Sequence, residues 1–149
     1  MKPPIQHLVL NALSEAQALQ LHLLYQREWW TARRSLTDVR TMLENSDFIF
    51  AIVAPDTEEL LAFARVLTDR VFKALVLDVI VHPDHRSVGL GSFFLAHIMA
   101  HPVLSRVRNI ELYCLPERAD FYQRHGFTSE LGGLQLMRRT IVSNETGDA

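Results

Sequence analysis

The chain has 149 residues, 48% of them hydrophobic, which suits one folded domain over residues 1–149 and leaves disorder to the ends. Its 15 basic and 17 acidic side chains give a net charge of −2, which offers no support for a large nucleic-acid footprint. The single cysteine, Cys114, excludes an internal disulfide and a cysteine-built metal cluster, and no apolar run approaches the roughly 20 residues that span a bilayer. The N-terminal residues Met1 to His7 lack the apolar core of a signal peptide. The expectation is a cytoplasmic protein whose partner is a small molecule or a peptide, with no nucleic acid, no membrane and a homodimer left open.

In chain order, Ile5 to Leu10 reads as an edge strand. Asn11 or Ser14 then caps a helix with Leu19, Leu23 and Leu24 as its apolar stripe, reaching the Tyr25 to Trp30 region. Trp29-Trp30 followed by Arg33-Arg34 is the most unusual local composition, and at least one of these tryptophans suits core packing. Ser35 or Thr37, with Asp38, starts a second helix that turns Val39, Met42 and Leu43 inward and ends near Asn45-Ser46. Phe48 to Ala54 and Leu60 to Leu67 make a hairpin around the Pro55 to Glu59 turn, and Thr68-Asp69-Arg70 turns the chain again. Leu75 to Val81 is a β-branched apolar run broken only by Asp78, the pattern of a central strand covered on both faces. His82-Pro83-Asp84-His85 stops it, because Pro83 has no N–H for a sheet ladder. From Leu90 the residues Phe93, Phe94, Ile98 and Met99 fall at helical spacing, with His97 and His101 one turn apart. Asn109 to Leu115 is a further strand, Pro116-Glu117-Arg118 opens a short helix ending at Gly126, and Leu134 to Val142 forms a last strand after Gly132-Gly133. The core then covers 48–142, and the polar stretch Ser143 to Ala149 is a flexible tail.

The junction Arg86-Ser87-Val88-Gly89-Leu90-Gly91-Ser92 carries the strongest chemical signal. Its glycines permit positive φ and the approach of a ligand, and the first-turn N–H groups of the following helix lack carbonyl partners. Together with the helix dipole and the Arg86 guanidinium, they make an anion site suited to a pyrophosphate. It is not a P-loop, since the G-x-x-x-x-G-K-[S/T] pattern is absent. Nor is it a dinucleotide fingerprint, since Phe94 stands where the third glycine would be. His82/His85 and His97/His101 have no acidic or cysteine partner at metal-ligand spacing, and no metal is expected.

The string Val81-x-Pro83-x-x-Arg86-x-x-Gly89-Leu90-Gly91 resembles the acyl-CoA-binding core of the GNAT superfamily of N-acetyltransferases, [R/Q]-x-x-G-x-[G/A] between a strand and a helix. Phe121-Tyr122-Gln123-Arg124-His125-Gly126-Phe127 is similar to the F-Y-x-x-x-G-F segment of the same superfamily, in the expected order and separation. The resemblance implies an α/β (α+β) fold: a mixed, mostly antiparallel sheet flanked by helices, with a splayed parallel strand pair at the acyl-CoA site.

It also implies chemistry, namely transfer of an acetyl group from the co-substrate acetyl-CoA to a primary amine of a small molecule or peptide. The backbone of Val79, Ile80 and Val81 would pair with the pantetheine arm, and the amide of Val79 or Val81 would polarise the thioester carbonyl. The loop Arg86, Ser87, Val88, Gly89, Leu90, Gly91 and Ser92 would hold the pyrophosphate. Tyr122 would be the acid that protonates the departing thiolate, and Trp29 and Trp30 would wall the acceptor cleft. Asp78 and Glu111 are the carboxylates available in the two strands as a base, and strand parity alone does not choose between them. Where the family often has an asparagine before the last crossover helix, this chain reads Leu115-Pro116-Glu117-Arg118, so a base is not carried over to those positions. The rival reading is a non-catalytic acyl-CoA-binding sensor.

Overall fold

The computed structural model describes residues 8–86 and 89–141. The elements in order are β1 (Leu8–Leu10), α1 (Glu15–Gln26), α2 (Leu36–Asn45), β2 (Phe48–Val53), β3 (Leu60–Thr68), β4 (Lys73–Val81), α3 (Leu90–Met99), β5 (Asn109–Leu112) and α4 (Ala119–Gln123). Strands β1 to β4 form an antiparallel meander. The chain then crosses over through α3, and β5 joins the far edge parallel to β4, giving the order β1-β2-β3-β4-β5. Each face of the sheet carries its own core. Leu90, Phe94 and Ile98 of α3 pack on Phe50, Ala62, Ala64, Val66 and Val76, while Leu21, Leu24 and Tyr25 of α1 and Val39 of α2 pack on Ile49, Ala51, Phe63 and Ile80. No helix among the described residues is long and apolar enough to cross a membrane.

Local signals set the helix starts. Ser14 accepts from the Gln17 N–H at 3.2 Å while the Gln17 side chain accepts from the Ser14 N–H at 2.8 Å, a reciprocal capping box, and Ser35 accepts from the Asp38 N–H at 3.1 Å. The stripe expected on α1 is wrong for two of its three members: Leu24 is buried, but Leu19 is 44% and Leu23 64% exposed. The row that faces the sheet is Gln17, Ala18, Leu21, Leu24 and Tyr25. It contains an amide and a methyl group, so its apolar contrast is low, and the conspicuous leucines lie elsewhere on the helix.

Two strand expectations are corrected. The strand expected over Asn109 to Leu115 ends at Leu112, and residues 134–141 form no strand. Leu134, Leu136, Met137 and Ile141 are 71%, 64%, 88% and 89% exposed. An apolar β-prone run becomes a strand only where an edge accepts its backbone groups, and that pairing is a tertiary event. Ile5 to His7, Val142 and the expected tail lie outside the described residues.

Candidate active site

The site begins where β4 loses its partner. Lys73 to Val76 pair with Asn109 to Leu112, and β5 ends there, so Leu77 to Val81 keep β3 on one side and have no strand on the other among the described residues. A bulge marks the same place. Between the pairs Phe63↔Ile80 and Arg65↔Leu77, β3 has one residue while β4 has two, and Asp78 takes a φ of 57°. The extra residue exchanges the faces, so that Ala74 and Val76 belong to the α3 core while Ile80 belongs to the α1/α2 core. At the strand end the His82 N–H donates to the Leu61 carbonyl at 2.7 Å, which turns the Val81 carbonyl of the same peptide to the open side. Strand alternation then points the N–H groups of Val79 and Val81 to that open side and leaves Ile80 bonded towards β3.

The glycine loop lies at the end of this open edge. Gly89 takes φ 81° and begins α3 with no side chain capping the helix among the described residues, which leaves its first-turn N–H groups without a described partner. Ser87 and Val88 lie outside the described residues. Arg86 departs from the sequence expectation: its Nε donates to the Val81 carbonyl at 2.9 Å and its Nη2 to Glu28 at 2.8 Å. Its charge is matched by a carboxylate from the α1–α2 loop, which makes Arg86 a brace beside the backbone amides at the start of α3. Leu90 is buried in the α3 core and anchors the helix start.

The two sequence motifs meet here. A Cβ built on Gly91 would lie 3.6 Å from the Phe121 ring, in ordinary contact, and His125 Nε2 is 3.3 Å from the Ser92 hydroxyl. The short helix α4 is thereby seated against the start of α3, and Tyr122 is half-buried with its ring edge-on to Phe121 and Phe127. Burial, and then the neighbouring Cys114, raise the pKa of Tyr122 above the ordinary tyrosine value, with Arg118 opposing. It remains a protonated donor at neutral pH.

Both candidate bases are engaged in ion pairs. Asp78 is buried and its carboxylate takes bonds from Arg34, Arg65 and the Tyr25 hydroxyl. Burial pushes its pKa up, but the bond and charge of Arg34, and then those of Arg65, outweigh it and hold the group below the usual aspartate value. So weak a base has little drive to take a proton from an ammonium group. Glu111 lies within the paired part of the strands, opposite Leu75, with its carboxylate on Lys73 Nζ at 2.7 Å.

The α1–α2 loop is tied to the open half of β4 at both ends, by Arg34 to Asp78 and by Glu28 to Arg86, whose Nε holds Val81. It therefore runs alongside the edge that β5 vacates. Trp30 packs against the α1/α2 core, whereas Trp29 is 74% exposed. Sequence reasoning missed Glu28, Arg34 and Arg65 as ionic partners, because nothing local relates Arg34 to a residue 44 positions away. It also missed Glu59, which the β2–β3 turn brings within 3.7 Å of His82 Nε2, next to His85. The His82 Nδ1 accepts the Asp84 N–H at 3.1 Å, which fixes the ring as a brace of the turn.

Comparison with known proteins agrees with this architecture. The profile of the acetyltransferase (GNAT) domain family matches residues 45–129. The uncharacterized N-acetyltransferase ycf52 of Pyropia yezoensis is 26% identical over 138 residues, covering 91% of this chain and 79% of the relative. A chloroplastic serotonin N-acetyltransferase 2 of Oryza sativa subsp. japonica is 33% identical over 107 residues, covering 70% of this chain and 54% of the relative. A crystal structure assigned to the GNAT family, from Xanthomonas campestris pv. campestris, superposes with a TM-score of 0.78 at 28% identity, covering 94% of this chain and 96% of the other.

Proposed function

Since the chain belongs to the GNAT acetyltransferase family, we propose that it moves an acetyl group from acetyl-CoA to a primary amine by direct attack in a ternary complex. The observation that carries this reading is the open edge of β4 beside an uncapped helix start. An extended, amide-bearing arm adds to such an edge as a strand does, and the pyrophosphate at its end meets the backbone amides of the Gly89 to Ser92 turn. Each charge-assisted bond there contributes about 1.5–3 kcal/mol. The N–H of Val79 or Val81, facing the same side, stabilises negative charge as it develops on the thioester oxygen.

The amine attacks the carbonyl carbon, the C–S bond breaks, and the thiolate leaves with a proton from the Tyr122 hydroxyl. Donation from a tyrosine of pKa about 10 to a thiolate of about 8.5 is uphill by about 2 kcal/mol before the environment of Tyr122 is counted. Proton transfer concerted with C–S cleavage overcomes that difference. With Asp78 and Glu111 both engaged in ion pairs, water relays the proton lost by the amine.

A thiol-release screen of acetyl-CoA against amino acids, polyamines, aryl-alkyl amines and peptide N-termini tests the reading, alongside thermal unfolding with coenzyme A. An acetyltransferase gains stability from coenzyme A and releases thiol with at least one amine. A sensor would show the first response without the second, and the absence of both would remove acyl-CoA from the account.

A further inference from the structure

On the α1/α2 face, beside the bulge, one carboxylate is shared by two guanidinium groups. Asp78 Oδ2 accepts from Arg34 Nη1 at 2.6 Å, Arg65 Nε at 2.8 Å and the Tyr25 hydroxyl at 3.0 Å, while Oδ1 accepts from Arg34 Nη2 at 3.3 Å. Neither arginine pairs with a second carboxylate among the described residues. The cluster therefore holds two positive charges against one negative.

Neutralising Asp78 requires only Arg34, which already reaches both carboxylate oxygens. Arg65 is the surplus. It donates to protein through Nε alone, and its two Nη groups meet no acceptor among the described residues, although its side chain is only 16% exposed. A guanidinium withdrawn from water with its fork unfilled is costly, and a planar anion that supplies acceptors offsets that cost.

The position of the surplus matters as much as its sign. Asp78 immediately precedes Val79, whose N–H faces the open edge, and Arg34 ends the loop that carries Trp29. From this geometry we infer that the acceptor is an amine bearing a carboxylate, which Arg65, with Arg34, receives while the amine meets the thioester one residue along β4. The inference rests on the acyl-transfer reading above and narrows its substrate class to amino acids, setting aside amines that carry no anionic group.

The test compares acids with their amides as acceptors. Thiol release is measured with wild-type protein at saturating acetyl-CoA. The probes are glycine, β-alanine, 4-aminobutyrate, L-glutamate and L-lysine, each against its carboxamide, with tyramine, serotonin and spermidine as amines lacking an anion. At least one acid should exceed its amide by about ten- to a hundredfold in kcat/KM, the span of one or two charge-assisted bonds. Arg65→Gln and Arg34→Gln should erase that preference through KM while the Kd for coenzyme A stays put. Asp78→Asn should raise the surplus by one charge and lower KM for the acid, with no such gain for its amide, a response that a purely structural role for the cluster does not give. Folding of each variant is read from the stabilisation by coenzyme A, and the wild-type acid-to-amide ratio decides the matter even if no variant folds. Amides or amines lacking an anion used as well as the acids would overturn the inference and leave acyl transfer standing. Coenzyme A binding with no thiol release from any amine would overturn acyl transfer and this inference with it.

Discussion

Replacing Tyr122 by Phe separates chemistry from architecture with one atom. The hydroxyl makes no hydrogen bond to a described protein group, and burial is the main reason its pKa is raised. The ring, by contrast, is held edge-on by Phe121 at 5.1 Å and Phe127 at 5.9 Å between centroids, contacts that Phe keeps. Removing an unpaired, half-buried hydroxyl should change stability by less than about 1 kcal/mol, and coenzyme A should bind as before. Turnover should behave differently. Loss of a positioned general acid lowers kcat by about 10²–10⁴-fold, or about 3–5 kcal/mol of barrier, and lowers kcat/KM equally because the bond forms only in the transition state. Steady-state thiol release, thermal unfolding and coenzyme A titration on the same two proteins provide the comparison. An acyl donor with a less basic leaving thiol should recover part of the rate in the Phe enzyme. The wild-type alkaline limb, set above the ordinary tyrosine pKa, should vanish with the hydroxyl. Turnover within a few-fold of wild type would refute the assignment, and so would a rate loss matched by an equal loss of stability.

Gly89→Val should abolish the stabilisation by coenzyme A, since a φ of 81° strains a β-branched residue by more than the about 1–2 kcal/mol an ordinary side chain incurs, whereas Gly91→Ala should bind nearly normally because its methyl finds only the Phe121 ring at 3.6 Å. Glu28→Gln frees the Arg86 guanidinium: a lower Kd for coenzyme A by calorimetry would show that Arg86 reaches the phosphates, and an unchanged Kd would confine it to bracing Val81. Trp29→Ala should raise the acceptor KM without loss of stability, while Trp30→Ala should cost about 2–3 kcal/mol of unfolding free energy, and the reverse pattern would exchange their roles. Because Asp78 has its pKa depressed in the folded state, its contribution is complete above the unfolded aspartate value and disappears as pH falls through the folded one. Chemical denaturation between pH 2 and 6 should therefore show a loss of wild-type stability on acidification that Asp78→Asn lacks; identical pH slopes would rule that linkage out.

Strands β2 to β4, the helix starts at Ser14 and Ser35 and the turn at Gly89 were legible because each is governed by neighbours within a few residues: a β-prone apolar run, a capping serine, and glycine at a junction. Phe121-Tyr122 and Arg86 to Gly91 stood out as motifs for the same reason, although the contact of Phe121 with Gly91 did not. The buried face of α1 was misread because Gln17, Ala18 and Tyr25 are covered by a sheet that local pattern does not describe. The bulge at Asp78 depends on a register against β3, and the expected strand at residues 134–141 depends on an edge that was not offered to it. The ionic network shows the division most clearly. Sequence placed Asp78 on a central strand as a free carboxylate. Only the fold brings Arg34 from 44 residues and Arg65 from 13 residues away onto its oxygens, because burying a charge requires partners and only the tertiary arrangement decides which are within reach.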